Sequence, residues 1–85
     1  MEIVFSPRSL KDSDYWKKTN NTRVQLRITQ LLASILETPF EGIGKPELLR
    51  RNLSGYWSRR ITQEHRLVYE VDENIIYILS MKDHY

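Results

Sequence analysis

Residues 56–80, YWSRRITQEHRLVYEVDENIIYILS, decide the fold. Three apolar-rich runs lie within them: Tyr56–Ile61, Arg66–Val71 and Ile75–Ser80. The short polar breaks Thr62–His65 and Asp72–Asn74 separate them, as turns separate the strands of an antiparallel meander. In the middle run Leu67, Tyr69 and Val71 alternate with Arg66, Val68 and Glu70. Period-two alternation gives a strand a core face and an open face. On the preceding run Trp57 and Ile61 take the core side, which places Ser58 and Arg60 outside. Arg59 then points inward and is expected to snorkel at an edge. A different turn length would exchange Arg59 and Arg60.

Upstream, the period changes. Val24, Ile28, Leu31, Leu32, Ile35 and Leu36 follow the spacing of an amphipathic helix. Asn20-Asn21 can break one helix and cap the next, and Thr38-Pro39 ends the second, because a residue before proline avoids helical geometry. Ser6 with Pro7 behind it starts a first helix running to about Asn20. Its apolar face is thin: Leu10, Tyr15 and Trp16. Glu2–Phe5 reads as a short strand. Phe40–Gly55 reads as a loop with a helical turn at Pro46–Arg51. The expected fold is α+β: a two-helix hairpin on one face of a small twisted, mainly antiparallel four-stranded sheet, in the order β-α-α-β-β-β. Residues 1–85 are expected to form a single domain.

Composition narrows the function classes. There is no cysteine among the 85 residues, so disulfide frameworks and thiolate chemistry are excluded, and a reducing cytoplasm is the expected location. Two histidines without cysteine make a poor zinc site, and no metal or cofactor is expected. No apolar run approaches a membrane span, and no signal-peptide core is present at the N-terminus. Net charge is only +2 but unevenly spread. Lys45–Arg66 holds six basic against two acidic residues, and the rest of the chain seven against nine. With Tyr56, Trp57 and Tyr69 interleaved, that segment fits a polyanion-binding face.

The polar groups of chemical interest are Glu47, His65, Arg66, His84 and Tyr85, with Lys45, Arg59 and Arg60 nearby. A carboxylate, a guanidinium and an imidazole on one open sheet face suffice for metal-free RNA cleavage. One group takes the 2′-hydroxyl proton, a cation steadies the charge growing on phosphorus, and an acid protonates the departing 5′-oxygen. Each residue also has a plainer reading. Glu47 suits the first turn of a short helix, Arg66 an ordinary strand surface, His65 a solvent-exposed turn and His84 a frayed end. A non-catalytic RNA- or ribosome-binding module, or a pure interaction protein, would use the same basic face.

The stretch Thr38–Leu48, followed by Asn52-Leu53-Ser54-Gly55-Tyr56-Trp57-Ser58-Arg59-Arg60-Ile61, Glu64-His65-Arg66-Leu67-Val68-Tyr69 and the closing His84-Tyr85, closely resembles the YoeB/Txe toxins of the RelE-like toxin–antitoxin ribonucleases. The resemblance implies a toxin that cuts messenger RNA in the ribosomal A site. It implies Glu47 as general base, Arg66 as phosphate-stabilising cation, His84 as general acid and Tyr85 as a positioning or assisting group. Lys45, Arg59 and Arg60 become candidate contacts to RNA phosphates. The implied partners are a YefM/Axe-type antitoxin, the ribosome with its message, a second toxin copy or a toxin–antitoxin hetero-oligomer, and operator DNA through the antitoxin complex only. The modest charge agrees with a cutter whose substrate is presented to it, since affinity for free RNA rests on many neutralised phosphates.

Overall fold

Ser6 and Asn21 start the two helices by the same device. In the computed structural model, which describes residues 1–84, the Ser6 hydroxyl accepts from the Ser9 amide at 2.9 Å, and the Asn21 side chain accepts from the Val24 amide at 3.1 Å. Helix α1 runs Pro7–Lys18 and helix α2 runs Thr22–Glu37. Asn20, between them, sits at φ 60°, a left-handed conformation that asparagine tolerates better than most residues.

The strands are β1 (Glu2–Phe5), β2 (Glu47–Leu48), β3 (Trp57–Arg60), β4 (Arg66–Asp72) and β5 (Ile75–Ser80), with a 3₁₀ turn at Arg51–Leu53. They form one sheet in the order β1-β5-β4-β3-β2, with β1 parallel to β5 and the other neighbours antiparallel. The sheet therefore has five strands, not four. The extra strand replaces the expected helical turn at Pro46–Arg51. Lys45 takes φ 53° and turns the chain, after which Glu47 and Leu48 pair with Ser58 and Trp57. An extended edge that would otherwise leave the outer backbone groups of β3 unpaired is thereby covered.

The helices lie on one face. Trp16, Val24, Ile28, Leu31 and Ile35 from the helices meet Ile61, Leu67, Tyr69, Ile76, Ile78 and Met81 in one core, with Val71 and Trp57 partly buried against it. The alternation expected in β4 holds for Leu67, Tyr69 and Val71. The opposite face is not uniformly open, because Val68 is buried as well, beside Leu53 and Leu79. In α1 the buried side is Ser9, Asp12 and Trp16, whereas Leu10 and Tyr15 face solvent.

A register shift interrupts β4–β5: Tyr69 pairs with Ile78, but Val68 pairs with Ser80. Leu79 is the extra residue, and its carbonyl accepts the Ser6 hydroxyl at 2.6 Å. A bulge rotates the strand beyond it. Core-facing positions thus change from Ile76 and Ile78 to Met81, all fully buried.

Arg59 does point inward, but it is wholly buried rather than snorkelling. Its Nε donates to the Tyr69 hydroxyl (3.1 Å), Nη1 to Ser34 Oγ (2.7 Å) and the Ile43 carbonyl (3.1 Å), and Nη2 to the Thr38 and Glu41 carbonyls (both 2.7 Å). All five donors of the guanidinium are satisfied. A contact to RNA phosphate is therefore excluded for Arg59: loop 38–44 folds over it, and Tyr69, Ser34 and the loop carbonyls together take every donor. Tyr69 completes the network by donating to the Pro39 carbonyl at 2.6 Å, and burial pushes its phenol pKa up against the opposing pull of Arg59.

Replacing Arg59 with Met strands several buried carbonyls and should cost about 3 kcal/mol or more, read by urea unfolding. Gly44 sits at φ 84°, and a Cβ there would stand 2.6 Å from Leu31 Cδ2 and 3.1 Å from Arg59 Cβ. Gly44→Ala is expected to lose about 1–3 kcal/mol in the same assay.

Candidate active site

The sheet face away from the helices carries a cleft of about 200 Å³ lined by Lys45, Glu47, Ser58, Arg60, Arg66 and His84. Five of the seven residues to which the family resemblance gave a role therefore meet there. Arg59 does not, and Tyr85 lies outside the described residues. Each side chain arrives by a different route. Lys45 and Glu47 are delivered by the loop that Arg59 holds, whose Gly44 carbonyl accepts the Arg60 amide at 2.7 Å. Ser58 and Arg60 are the outward residues of β3, and Glu47 lies opposite Ser58 in the β2–β3 ladder. This extended setting removes the plainer reading of Glu47 as a helix-start residue.

Arg66 opens β4 directly opposite Arg60. It is buried, and its Nη1 donates to the carbonyls of Thr62, Gln63 and His65 at 2.9, 3.0 and 3.2 Å. Those bonds lock the plane of the guanidinium. Like charges placed opposite each other in a sheet are unfavourable. With Lys45 alongside, the cleft is built to receive an anion.

His84 is exposed, yet the chain leading to it is tied down. Buried Asp12 accepts the Met81 amide at 2.9 Å, and Trp16 Nε1 donates to the Met81 carbonyl at 2.8 Å. Arg8 bonds both Asp12 (3.1 Å) and the Asp83 carboxylate (3.2 Å), while Lys82 pairs with Asp83 at 3.1 Å. The Arg66 amide donates to the Asp83 carbonyl at 3.1 Å, and the Asp83 amide donates to His65 Nδ1 at 2.8 Å. His65 is thus not a solvent-exposed turn residue: its ring stands edge-on to Trp16, centroids 4.9 Å apart. The Asp83 carboxyl is held below its usual range, chiefly by the Lys82 hydrogen bond, with desolvation opposing and the charges of Lys82 and Arg8 adding. A lowered pKa adds stability at neutral pH that is lost as pH falls through the folded-state value.

Asp12, Trp16 and His65 position the tail; His65 stood among the polar groups of chemical interest in the sequence, with a solvent-exposed turn as its plainer reading, whereas Asp12 and Trp16 did not stand out as functional. The signal available was the i, i+4 spacing of Asp12 and Trp16 on one helix face, hidden because one member is charged.

This fold is shared. The family described as "YoeB-like toxin of bacterial type II toxin-antitoxin system" matches residues 5–85. The chain belongs to that family. Toxin YoeB of Escherichia coli K12 is 47% identical over 85 residues, all of both chains. A YoeB/ParE toxin from Agrobacterium tumefaciens superposes with a TM-score of 0.95 at 39% identity, covering 100% of each chain. The toxin is also similar to the YoeB chain solved in a YoeB–YefM complex from Staphylococcus aureus, at TM-score 0.89 and 51% identity, over 100% of this chain and 98% of that one. The toxin's five-stranded sheet with two helices on one face is therefore that of a type II toxin.

Cutting the tail anchor should be measurable without any substrate. Asp12→Ala is expected to lose about 1–3 kcal/mol, since the buried Met81 amide loses its acceptor. Trp16→Phe keeps the ring but not the indole donor, and is expected to lose about 1 kcal/mol. Urea unfolding, with amide exchange at Met81, checks both.

Proposed function

We propose that this toxin is an endoribonuclease that cleaves messenger RNA in the ribosomal A site and so stops translation. The observation that carries the reading is the meeting of Glu47, Arg66 and His84 in one cationic cleft. The Glu47 carboxylate takes the proton of a ribose 2′-hydroxyl. The freed oxygen attacks the adjacent phosphorus. Arg66 steadies the charge on the non-bridging oxygens; its recorded bonds leave from Nη1, and Nε and Nη2 complete a fork that suits a phosphate. His84 gives its proton to the departing 5′-oxygen. The products are a 2′,3′-cyclic phosphate and a 5′-hydroxyl, with no metal or cofactor in the scheme. Lys45 and Arg60 hold neighbouring phosphates, and Tyr85 helps position the RNA.

The cleft carries a small excess of positive charge, which suits a substrate already held by the ribosome. Presentation there also supplies in-line geometry. The setting is the bacterial cytoplasm. Its antitoxin is of the YefM type, by analogy with the Staphylococcus aureus complex, and its C-terminal segment covers the cleft. Toxin pairs, toxin–antitoxin hetero-oligomers and operator binding through the antitoxin complete the reading.

Glu47→Gln and His84→Gln are each expected to lower cleavage about 10²–10⁴-fold while leaving the urea midpoint near wild type. Primer extension on a translating extract checks this by new 5′ ends at A-site codons. Native-rate cleavage by a folded His84→Gln protein would remove the acid assignment, and basic-face docking without new ends would favour a non-catalytic ribosome binder. Arg60→Glu should weaken capture by ribosomes and flatten its salt dependence, while chelation that spares the ribosomes should leave the rate unchanged.

A further inference from the structure

The turn that carries His84 is costly to hold. Asp83 sits at φ 69°, a left-handed conformation that is uncommon outside glycine and persists where surrounding contacts enforce it. Its own side chain does not supply the enforcement, because the carboxylate is half-exposed and paired with Arg8 and Lys82, both solvent-accessible. Such pairs are worth little. The enforcing contacts are on the backbone. The Arg66 amide holds the Asp83 carbonyl at 3.1 Å, and His65 Nδ1 holds the Asp83 N–H at 2.8 Å. Two consecutive residues, His65 just before β4 and Arg66 at its start, therefore grip both backbone polar groups of the residue before His84. One of them, Arg66, also lines the cleft.

The imidazole is fixed in turn. Its ring lies edge-on to buried Trp16, and its amide donates to Thr62 Oγ1 at 3.1 Å. Trp16 also bonds the Met81 carbonyl. The ring that receives the Asp83 amide is thus seated against the residue that anchors Met81. A lone pair on Nδ1 requires the proton on Nε2, so only one tautomer can make the bond.

We infer that His65 is a positioning residue: through its Nδ1 acceptor it fixes the Asp83 amide, and thereby sets His84 in register with Glu47 and Arg66. It has no contact with substrate in this role. The inference rests on the nuclease reading for its kinetic consequence, but the tether itself is a property of the free toxin.

Two substitutions separate acceptor from ring. His65→Asn places a carbonyl oxygen near the Nδ1 position and discards the ring. His65→Phe keeps a ring against Trp16 and discards the acceptor. With purified toxin and programmed ribosomes, His65→Phe is expected to lower kcat about 10²-fold with KM for the ribosomal complex little changed, the scale of loss from a small misplacement. His65→Asn is expected to recover most of that loss. Amide exchange on the free toxins should show Asp83 protected in wild type and His65→Asn but fast in His65→Phe. Full activity and slow Asp83 exchange in His65→Phe would overturn the inference, as would a folded His65→Asn as impaired as His65→Phe. A wild-type toxin that leaves the message intact would instead overturn the nuclease reading and the kinetic role drawn from it, with the exchange data still deciding whether the tether exists.

Discussion

A buried guanidinium with no carboxylate partner among the described residues holds this structure together. Arg59 is wholly inaccessible, and a charge removed from water carries a desolvation cost of several kcal/mol. Five hydrogen bonds offset it, three of them to the carbonyls of Thr38, Glu41 and Ile43. Ser34 and Thr38 belong to the last turn and cap of α2, where unsatisfied carbonyls and the helix dipole favour a cation. Lysine could not replace it, since a point charge with three donors cannot span five acceptors in a plane. The outcome reaches beyond stability. Loop 38–44 is folded around the guanidinium, and Lys45 and Glu47 emerge from that loop at fixed positions beside β3. The core thus sets one wall of the cleft through a polar contact rather than an apolar one.

The opposite wall depends on a second polar anchor. The bulge at Leu79 changes the phase of β5, which buries Met81 and brings its backbone to Asp12 and Trp16. His65 and Arg66 then hold Asp83. The two anchors use different helices: Arg59 on β3 bonds the C-terminal end of α2 and the loop after it, whereas Asp12 and Trp16 on α1 bond Met81 just beyond β5. Neither touches the other. The cleft is therefore assembled from two independently held segments that meet over β3 and the start of β4.

The legible parts of the sequence were those governed by a period. The helical spacing from Val24 to Ile35 and the alternation of Leu67, Tyr69 and Val71 each report a continuous apolar face, which one-dimensional patterns capture. Alternation also pointed Arg59 inward and Arg60 outward, with a different turn length able to exchange them, and the structure has Arg59 inside. What alternation could not convey was depth. Arg59 is buried because a distant loop closes over it, and no local pattern encodes that closure. The α1 face was misjudged for a related reason: burial there selects Ser9 and Asp12, whose polar atoms are matched by Ser6 and by the Met81 amide, over apolar but exposed Leu10. Strand β2 escaped notice because two residues carry no period. Its extension comes from pairing with β3. Glu47, Arg66 and His84 were legible as chemistry but not as neighbours, and the resemblance of the stretches between Thr38 and Tyr69, with the closing His84-Tyr85, to a known family brought them together.

The pairing of Arg60 with Arg66 carries the last step of the argument. A sheet gains from opposite charges across a ladder and loses from like ones. Here two guanidiniums stand opposite each other with Lys45 beside them, and among the described residues lining the cleft Glu47 is the one carboxylate. Arg66 is further constrained by three loop carbonyls and cannot turn away to relieve the repulsion. An anion entering the cleft is attracted by both residues, and more strongly by buried Arg66 than by exposed Arg60, whose charge water screens. The requirement is for negative charge, and the three carbonyls that hold Arg66 fix where in the cleft that charge is received.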